Sequence, residues 1–452
     1  MAPPIRRDRL NEVLVSDPSG GRTAPEESET NVVHVERIAG GGDGVGREDS
    51  GRVVFVPRTA PGDVVRVEIV QAKAHWARGR VREYLKQGAG RRSAPCPVYD
   101  ECGGCRLQHL IPAEQRQAKR DLVQEALRRI GGFDIPVPDL IAVGSELGYR
   151  NRVTFSSHGR SGNVKAGFRR IDDPSSVIDV RLCLLAETPI QSAWAELREA
   201  WEGGICDPPS GPDTRLTIRA AMNGAVDLLV NGGEPFASDT LRSLMERVPG
   251  LVGCHHVRPG RPPKTLVGEE TLLDRWQEIE FDLPADVFLQ VNRRVSAEMD
   301  RWLEARVGDL DGRRVLDLYS GVGARAIRWA SQGAQVTACE VSKRAVTACR
   351  LAASGAGAQL AVEAGRVESR IEGLLPADLV VVNPPRAGLS RRVAEALISG
   401  LARRLAYVSC DPATLARDLG RLEPAWNVVE LQPFDAFPQT AHVETVAWMH
   451  RR

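Results

Sequence analysis

The sequence predicts a multidomain protein in which a small β-barrel, an α+β central domain with a metal site and a Rossmann-like α/β domain follow one another. Three observations predict this order. Short alternating strands separated by glycine turns occupy residues 31–90, three closely spaced cysteines follow, and apolar strands alternate with helices from about Ser296. At 452 residues the chain is also longer than one hydrophobic core usually supports.

Composition places the chain among globular proteins. Hydrophobic residues make up 42% and charged residues 26%, and the net charge of +1 says nothing about partners. No apolar run reaches the roughly 18 residues that a spanning helix requires, and the start of the chain lacks the apolar core of a secretory signal. We therefore expect a cytoplasmic protein away from membranes, in which nine cysteines act as ligands, in catalysis or in packing rather than as disulfides.

The N-terminal part is predicted to hold a tail and a barrel. Residues 1–30 are rich in Pro, Gly and charged residues without periodicity, which predicts a disordered tail. The strands over 31–90 suit a small barrel of the oligonucleotide-binding type. Basic residues between Lys73 and Arg92 alternate with Trp76 and Tyr84, a pattern that fits RNA phosphates and bases. A solvated strand surface with a packed tryptophan fits the same pattern.

A metal site is predicted at the start of the central region, residues 91–285. Cys96, Cys102 and Cys105 have the C-x5-C-x2-C spacing of a zinc or iron–sulfur site, and spacing alone does not choose between the two. An amphipathic helix follows and ends at a glycine pair. Mixed strand and helix patterns then continue to about residue 285.

Residues 286–452 carry the pattern of a cofactor-binding sheet. An apolar strand containing Asp317 leads into a Gly-x-Gly turn, and the next strand ends in Glu340, where an acid can hold ribose hydroxyls. A Gly-x-Gly turn alone also fits dehydrogenases. Asn383-Pro384-Pro385 after a later strand is more typical of S-adenosylmethionine enzymes. Together these elements predict a methyltransferase fold.

Cys410 is the predicted nucleophile. It follows an apolar strand and precedes Asp411-Pro412, which places it at the carboxyl edge of the sheet beside the cofactor pocket. Carbon 5 of a pyrimidine becomes nucleophilic when a thiolate adds to carbon 6, and a base must later remove the carbon-5 proton. His442 and Glu444 near the C-terminus are the base candidates.

Several longer motifs support the same chemistry. They are SCDPATLARDL around Cys410, FPQTAHVETV around Glu444, GYRNRV over 148–153 and FLQVN over 288–292. With the cysteine spacing, these motifs resemble the RNA 5-methyluridine methyltransferase family, in particular the branch with a TRAM domain and an iron–sulfur cluster that includes 23S rRNA uracil-5 methyltransferases.

The resemblance implies roles for individual residues. It makes Cys410 the nucleophile, Glu444 the base and residues 31–90 a TRAM domain, and it packs the helix near 110–140 on the catalytic domain. It places Phe288 and Gln290 at the target uracil. The implied contacts to S-adenosylmethionine are Gln290, Asp317, Tyr319, Gly321, Gly323, Glu340 and Asn383. The implied ligands of a 4Fe–4S cluster, favoured over zinc, are Cys96, Cys102, Cys105 and Cys183.

The chain departs from the family pattern at three places. Position 383 is Asn where the family usually has Asp, Ser320 replaces a Cys, and Ala324-Arg325 replace Asn-Phe. These departures leave open a binding module that has lost catalysis, such as a ribosome-assembly factor. The expected partner is RNA, with ribosomal RNA favoured over transfer RNA, and methylation of cytosine is the less favoured chemistry. A monomer is expected.

Overall fold

A closed barrel forms the first part of the chain that the computed structural model describes. The structure describes residues 30–48, 50–160, 163–206, 208–209, 211, 213–233, 236 and 238–452, so nearly all of the predicted tail lies outside the described residues. The barrel strands are β1 (Thr30–Ile38), β2 (Gly44–Arg47), β3 (Val53–Val56), β4 (Val64–Ala72) and β5 (Trp76–Lys86), in the closed order β1-β2-β3-β5-β4. Alternate valines point inward and fill the interior, so closure buries one face of every strand.

Helix α1 (Pro112–Ala126) follows the cysteine segment and lies against the C-terminal half of the molecule. A proline in its first turn suits helix initiation, and a π-helical turn over Leu127–Gly131 ends at Gly132, whose φ of 74° requires the left-handed region. The side chains of Val123 and Leu127 are fully buried in the core of the C-terminal sheet. The chain therefore leaves the cysteine segment already packed on the last domain.

A seven-stranded sheet forms the central part. Its strands lie in the order β12-β11-β10-β9-β6-β7-β8, with β10 and β11 parallel and the other pairs antiparallel. The strands are β6 (Arg152–Arg160), β7 (Asn163–Arg169), β8 (Val177–Asp179), β9 (Thr214–Ala220), β10 (Val226–Asn231), β11 (Leu251–Val257) and β12 (Lys264–Gly268). Helices α2 (Thr188–Glu202) and α3 (Ser238–Arg247) contribute to its core, where Trp194 stacks on Phe155 with ring centroids 3.8 Å apart.

A hairpin connects this sheet to the last domain. It consists of β13 (Thr271–Trp276) and β14 (Ile279–Pro284), and helix α4 (Arg293–Val307) follows. The side chain of Asn292 caps α4 by accepting a hydrogen bond from the Val295 amide.

The last domain is a second seven-stranded sheet with the order β17-β16-β15-β18-β19-β21-β20. Its strands are β15 (Arg314–Leu318), β16 (Gln335–Glu340), β17 (Ala361–Ala364), β18 (Ala377–Val382), β19 (Ala402–Ser409), β20 (Trp426–Phe434) and β21 (Glu444–Arg451). Its helices are α5 (Ala324–Ser331), α6 (Lys343–Gly355), α7 (Val367–Leu374), α8 (Arg391–Ser399) and α9 (Pro412–Leu422). Alternating strands and helices give the Rossmann-like arrangement predicted from the sequence.

Strand β21 departs from the parallel sheet that alternating apolar strands and helices predict. It inserts between β19 and β20 and runs antiparallel to both, because a loop rather than a crossover helix joins it to β20. The reversal matters for the site, since the amino end of β21 lies at the same edge of the sheet as the carboxyl ends of β19 and β20. Ser409 of β19 pairs with Thr445 of β21. Cys410 directly follows Ser409 and Glu444 directly precedes Thr445, so both site residues adjoin this pair.

Among the helices of the described ranges, none combines the length and the apolar character needed to cross a bilayer.

Candidate active site

A cavity of about 800 Å³ opens at the carboxyl edge of the C-terminal sheet. Nearly all of the site residues that the sequence predicts for this domain line it, namely Phe288, Gln290, Asp317, Tyr319, Gly321, Glu340, Asn383, Cys410 and Glu444. Gly323 instead packs behind the cavity wall, where a Cβ atom would collide with the Cys349 thiol. Its φ of 70° starts α5 in a conformation that favours glycine.

One end of the cavity is built around the acid that ends β16. The carboxylate of Glu340 accepts hydrogen bonds from the amides of Gly321 at 3.0 Å and Ser342 at 2.8 Å, which hold the side chain across the Gly-x-Gly turn. Asp317 lies nearby with 3% of its surface exposed, and burial raises its pKa to about 6. Tyr319 has a φ of 60° and donates a hydrogen bond to Glu368 at 3.3 Å.

The other end of the cavity brings a thiol and a carboxyl group together. Burial raises the pKa of Cys410, and the neighbouring Glu444 raises it further, while Arg386 opposes both effects. Burial also raises the pKa of Glu444 to about 7, again against the pull of Arg386. The carboxyl group of Glu444 is therefore poised for proton transfer near neutral pH, whereas the raised pKa of Cys410 favours the protonated thiol.

Arg386 also lines the cavity, and the sequence alone assigned it no role. The charge of its guanidinium acts to lower the pKa of both Cys410 and Glu444. Its Nη2 lies 3.3 Å from Nε2 of His442. The signal was present, because a basic residue directly follows the Pro-Pro turn at the end of β18. His442, the other base candidate, is exposed and does not line the cavity, whereas Glu444 does.

The GYRNRV and FLQVN motifs contact each other. The side-chain amide of Asn151 donates a hydrogen bond to the Gln290 carbonyl at 3.0 Å, and its backbone N–H donates one to the Val291 carbonyl at 3.1 Å. Phe288, two residues before Gln290, lines the cavity and is 58% exposed. The central sheet thus fixes the backbone beside an exposed aromatic ring, which is suited to stack on an unpaired base.

Gln439 holds the loop that precedes Glu444. This residue is fully buried with a φ of 71°, and its carbonyl accepts the amides of Arg106 and Leu107, each at 3.0 Å. Its side chain accepts hydrogen bonds from Gln115 and Arg92, both at 3.0 Å. The loop is thereby tied to the cysteine segment and to α1.

A buried ion pair adds to this attachment. Lys119 on α1 is fully buried and contacts Asp435 at 2.5 Å and the Phe437 carbonyl at 2.9 Å. Burial lowers the pKa of Lys119, and Asp435 opposes that effect.

The four cysteines of the predicted cluster share one neighbourhood. Burial raises the pKa of Cys105 to about 12, and the thiols of Cys183, Cys102 and Cys96 contribute to the increase. All four are free thiols. Within the described ranges, however, no group of three or more His, Cys, Asp or Glu side chains is arranged so that it could hold a metal ion. The donor chemistry suits a thiolate-bound centre, and the metal itself is not shown.

Comparison with known proteins agrees with this geometry. Residues 266–452 match the family described as tRNA (Uracil-5-)-methyltransferase, and residues 26–81 match the TRAM domain. An uncharacterized RNA methyltransferase of Thermosynechococcus vestitus is 31% identical over 93% of this chain and 98% of its own. Another from Gloeobacter violaceus is 33% identical over 94% and 97% of the two chains.

A solved structure shares the fold. The tRNA (uracil-54, C5)-methyltransferase of Pyrococcus abyssi, in complex with S-adenosyl-L-homocysteine, matches with a TM-score of 0.73 at 22% identity and covers 93% of this chain and 99% of its own. The likeness extends over the barrel, the central sheet and the cofactor-binding sheet together.

Proposed function

Because the chain belongs to the RNA uracil-5-methyltransferase family with a TRAM domain, we propose that it methylates carbon 5 of one uridine in a structured RNA through a covalent adduct on Cys410. One observation carries the proposal. The thiol of Cys410 and the carboxyl group of Glu444 line the same cavity as the residues expected to bind the cofactor.

The proposed reaction divides between the thiol and the carboxylate. Cys410 adds as a thiolate to carbon 6 of the uracil, forming a carbon–sulfur bond and placing the electron pair on carbon 5. Bound S-adenosylmethionine would supply the electrophilic methyl group to that carbon, its sulfur–methyl bond breaking to leave S-adenosyl-L-homocysteine. Glu444 then takes the carbon-5 proton, the double bond re-forms and the thiolate leaves. Arg386 favours the anionic form of both residues.

Cofactor binding is proposed at the part of the cavity that Glu340 lines. Glu340, held by two backbone amides, has the position to accept hydrogen bonds from ribose hydroxyls. Asn383 keeps the shape and a carbonyl acceptor of the usual aspartate without its charge, so we assign it to cofactor contact and to no acid role. Phe288 and Gln290 are proposed to contact the flipped uracil.

Deletion of the gene tests both the reaction and the RNA class. We expect 5-methyluridine to disappear from large-subunit ribosomal RNA, measured by nucleoside mass spectrometry, and to return with wild type and with the control Cys254→Ala. Cys410→Ala should not restore it and should form no adduct with 5-fluorouridine RNA, because it lacks the nucleophile.

Other outcomes of the deletion experiment separate the alternatives. Loss confined to transfer RNA would favour the substrate named for the Pyrococcus abyssi neighbour and for the matching family model. Restoration by Cys410→Ala would contradict the covalent mechanism. Unchanged 5-methyluridine in both RNA classes would favour a binding module. For either class of RNA, we propose that the protein acts in the cytoplasm and as a monomer.

The four cysteines are proposed to hold a 4Fe–4S cluster with a structural role, since Cys410 chemistry requires no electron transfer. Cys96, Cys102, Cys105 and Cys183 supply four soft thiolate donors. Zinc, which also binds four thiolates, is the alternative occupant.

Metal analysis tests the cluster proposal. Anaerobically purified protein should contain about four irons and four sulfides per chain, with a broad visible absorption that Cys105→Ser abolishes. Cys254→Ser, which lies outside the segment, should retain the iron. Stoichiometric zinc without iron in the wild type would contradict the proposal.

A further inference from the structure

A charged cluster lies where helices α4 and α5 meet the cavity. Arg325, in the first turn of α5, pairs with Asp300 of α4 through its Nε at 3.1 Å and its Nη2 at 2.8 Å. The charge of Asp317 also acts on this guanidinium. All three side chains line the cavity, and the Arg325 side chain is only 13% exposed.

Two polar groups of this cluster remain open toward the cavity. Within the described part of the chain, Nη1 of Arg325 donates no hydrogen bond and the carboxylate of Asp317 accepts none. The buried hydroxyl of Ser320 beside them also has no partner. Buried polar groups are normally satisfied, so open groups of opposite charge at one end of a cavity indicate a ligand with both an anionic and a cationic group.

The charges favour such a ligand. Burial works against the guanidinium of Arg325, but Asp300 and Asp317 outweigh it and raise its pKa, so the cation persists. For Asp317, in contrast, burial raises the pKa and favours the neutral carboxyl group. An ammonium group beside Asp317 would stabilise its carboxylate, and a carboxylate at Nη1 would complete the coordination of Arg325.

We propose that Arg325 binds the carboxylate of the amino-acid end of the cofactor, next to an ammonium held by Asp317. The inference rests on the proposed function and adds a binding residue at a position where the family commonly has phenylalanine. Such a change to arginine would be costly in a cavity wall unless the guanidinium were paired. Asp300 accepts hydrogen bonds from Nε and Nη2 of Arg325, and the carboxylate of the ligand would accept from Nη1.

A purely structural role for Arg325 is the competing explanation, and the chain provides its own comparison. Arg328, nearly one turn later in α5, also pairs with α4, through Glu304 at 2.8 Å. It does not line the cavity. If Arg325 only fastened α5 to α4, substitution at either arginine would have the same consequences.

Calorimetry with two ligands tests the proposal. S-adenosyl-L-homocysteine carries the carboxylate and the ammonium, whereas 5′-methylthioadenosine keeps the adenine and ribose and lacks both. Arg325→Met should weaken binding of S-adenosyl-L-homocysteine by about ten- to a hundredfold and leave 5′-methylthioadenosine within about twofold. The control Arg328→Met should change neither affinity.

The outcomes separate this inference from the proposed function. Unchanged binding of S-adenosyl-L-homocysteine by Arg325→Met, or equal weakening of both ligands, would overturn the role of Arg325. Failure of the wild type to bind either ligand would instead contradict the proposed function. If Arg325→Met does not fold because Asp300 loses its partner, the double variant Asp300→Asn with Arg325→Phe removes both charges, and the same selective loss is expected.

Discussion

Glu444 and Cys410 show how burial sets reactivity at single residues. Each is a weak acid whose pKa is raised by loss of water, and each needs to be ionised for its proposed step. Arg386 lies where its charge favours both anions. Burial holds the Glu444 carboxyl group neutral up to about pH 7, which limits its repulsion of a thiolate at Cys410.

For single residues, we predict how the reaction rate and the folding stability depend on pH in the wild type and in Glu444→Gln. The rate of 5-methyluridine release should rise through about pH 7 as Glu444 ionises. Stability should change in the opposite direction, because the unfolded chain loses this proton near its ordinary value of 4.5 while the folded chain keeps it to about 7. Its contribution therefore falls as pH rises from about 4.5 to 7.

Glu444→Gln should remove that part of the stability profile and accumulate a long-lived RNA–protein adduct, measured by denaturing gels after single turnover. Addition by Cys410 does not need the base, whereas release does. Rapid turnover without adduct in this variant would exclude Glu444 as the base.

At the scale of elements, the loop between β20 and β21 decides the geometry of the site. The loop contains no regular structure, yet hydrogen bonds from other segments hold most of its length. Besides the bonds to Gln439, Asn292 donates to the Ala436 carbonyl at 3.1 Å and Tyr149 to the Pro438 carbonyl at 3.0 Å. These bonds come from distant parts of the chain and orient the strand that begins at Glu444.

Replacement of Gln439 tests the role of this loop. Gln439→Gly keeps the positive φ accessible and removes the side-chain bonds, so we expect kcat to fall by about a hundredfold through misplacement of Glu444. Affinity for S-adenosyl-L-homocysteine should change little, because Gln439 does not line the cavity.

Two controls accompany the Gln439 measurement. Gln432→Gly on β20, whose side chain donates to the carbonyls of Asp139 and Pro433, should keep kcat within about threefold. Gln439→Asn, which retains an amide and tolerates a positive φ, should recover part of the rate. Equal loss of kcat and of cofactor affinity in Gln439→Gly would point to general destabilisation instead.

At the scale of the whole molecule, the cysteine segment joins the three folds. Arg58 of the barrel donates to the Cys105 carbonyl at 2.8 Å, and Gly103 donates to the Arg169 carbonyl of the central sheet at 2.9 Å. The adjoining amides reach Gln439 in the catalytic domain. Since one short segment bonds to every fold, order in that segment, including any cluster it holds, is expected to stabilise all three together.

The sequence by itself determined the order of the three folds and identified the side chains expected to carry out the chemistry. Strand periodicity and glycine turns are local properties, so the barrel and the Rossmann-like sheet were predictable, and motifs around Cys410, Glu340 and Glu444 identified the residues that now line one cavity. The domain limits and the individual roles remain predictions.

Only the tertiary structure decided how these groups meet. The reversal of β21 brings Glu444 to the edge that holds Cys410, and the same fold places Arg386 beside both. It also turns Arg325, an unexplained departure in the sequence, into a charge open to the cavity. Such placements depend on strand direction and on contacts between residues far apart in the chain, which local patterns do not encode.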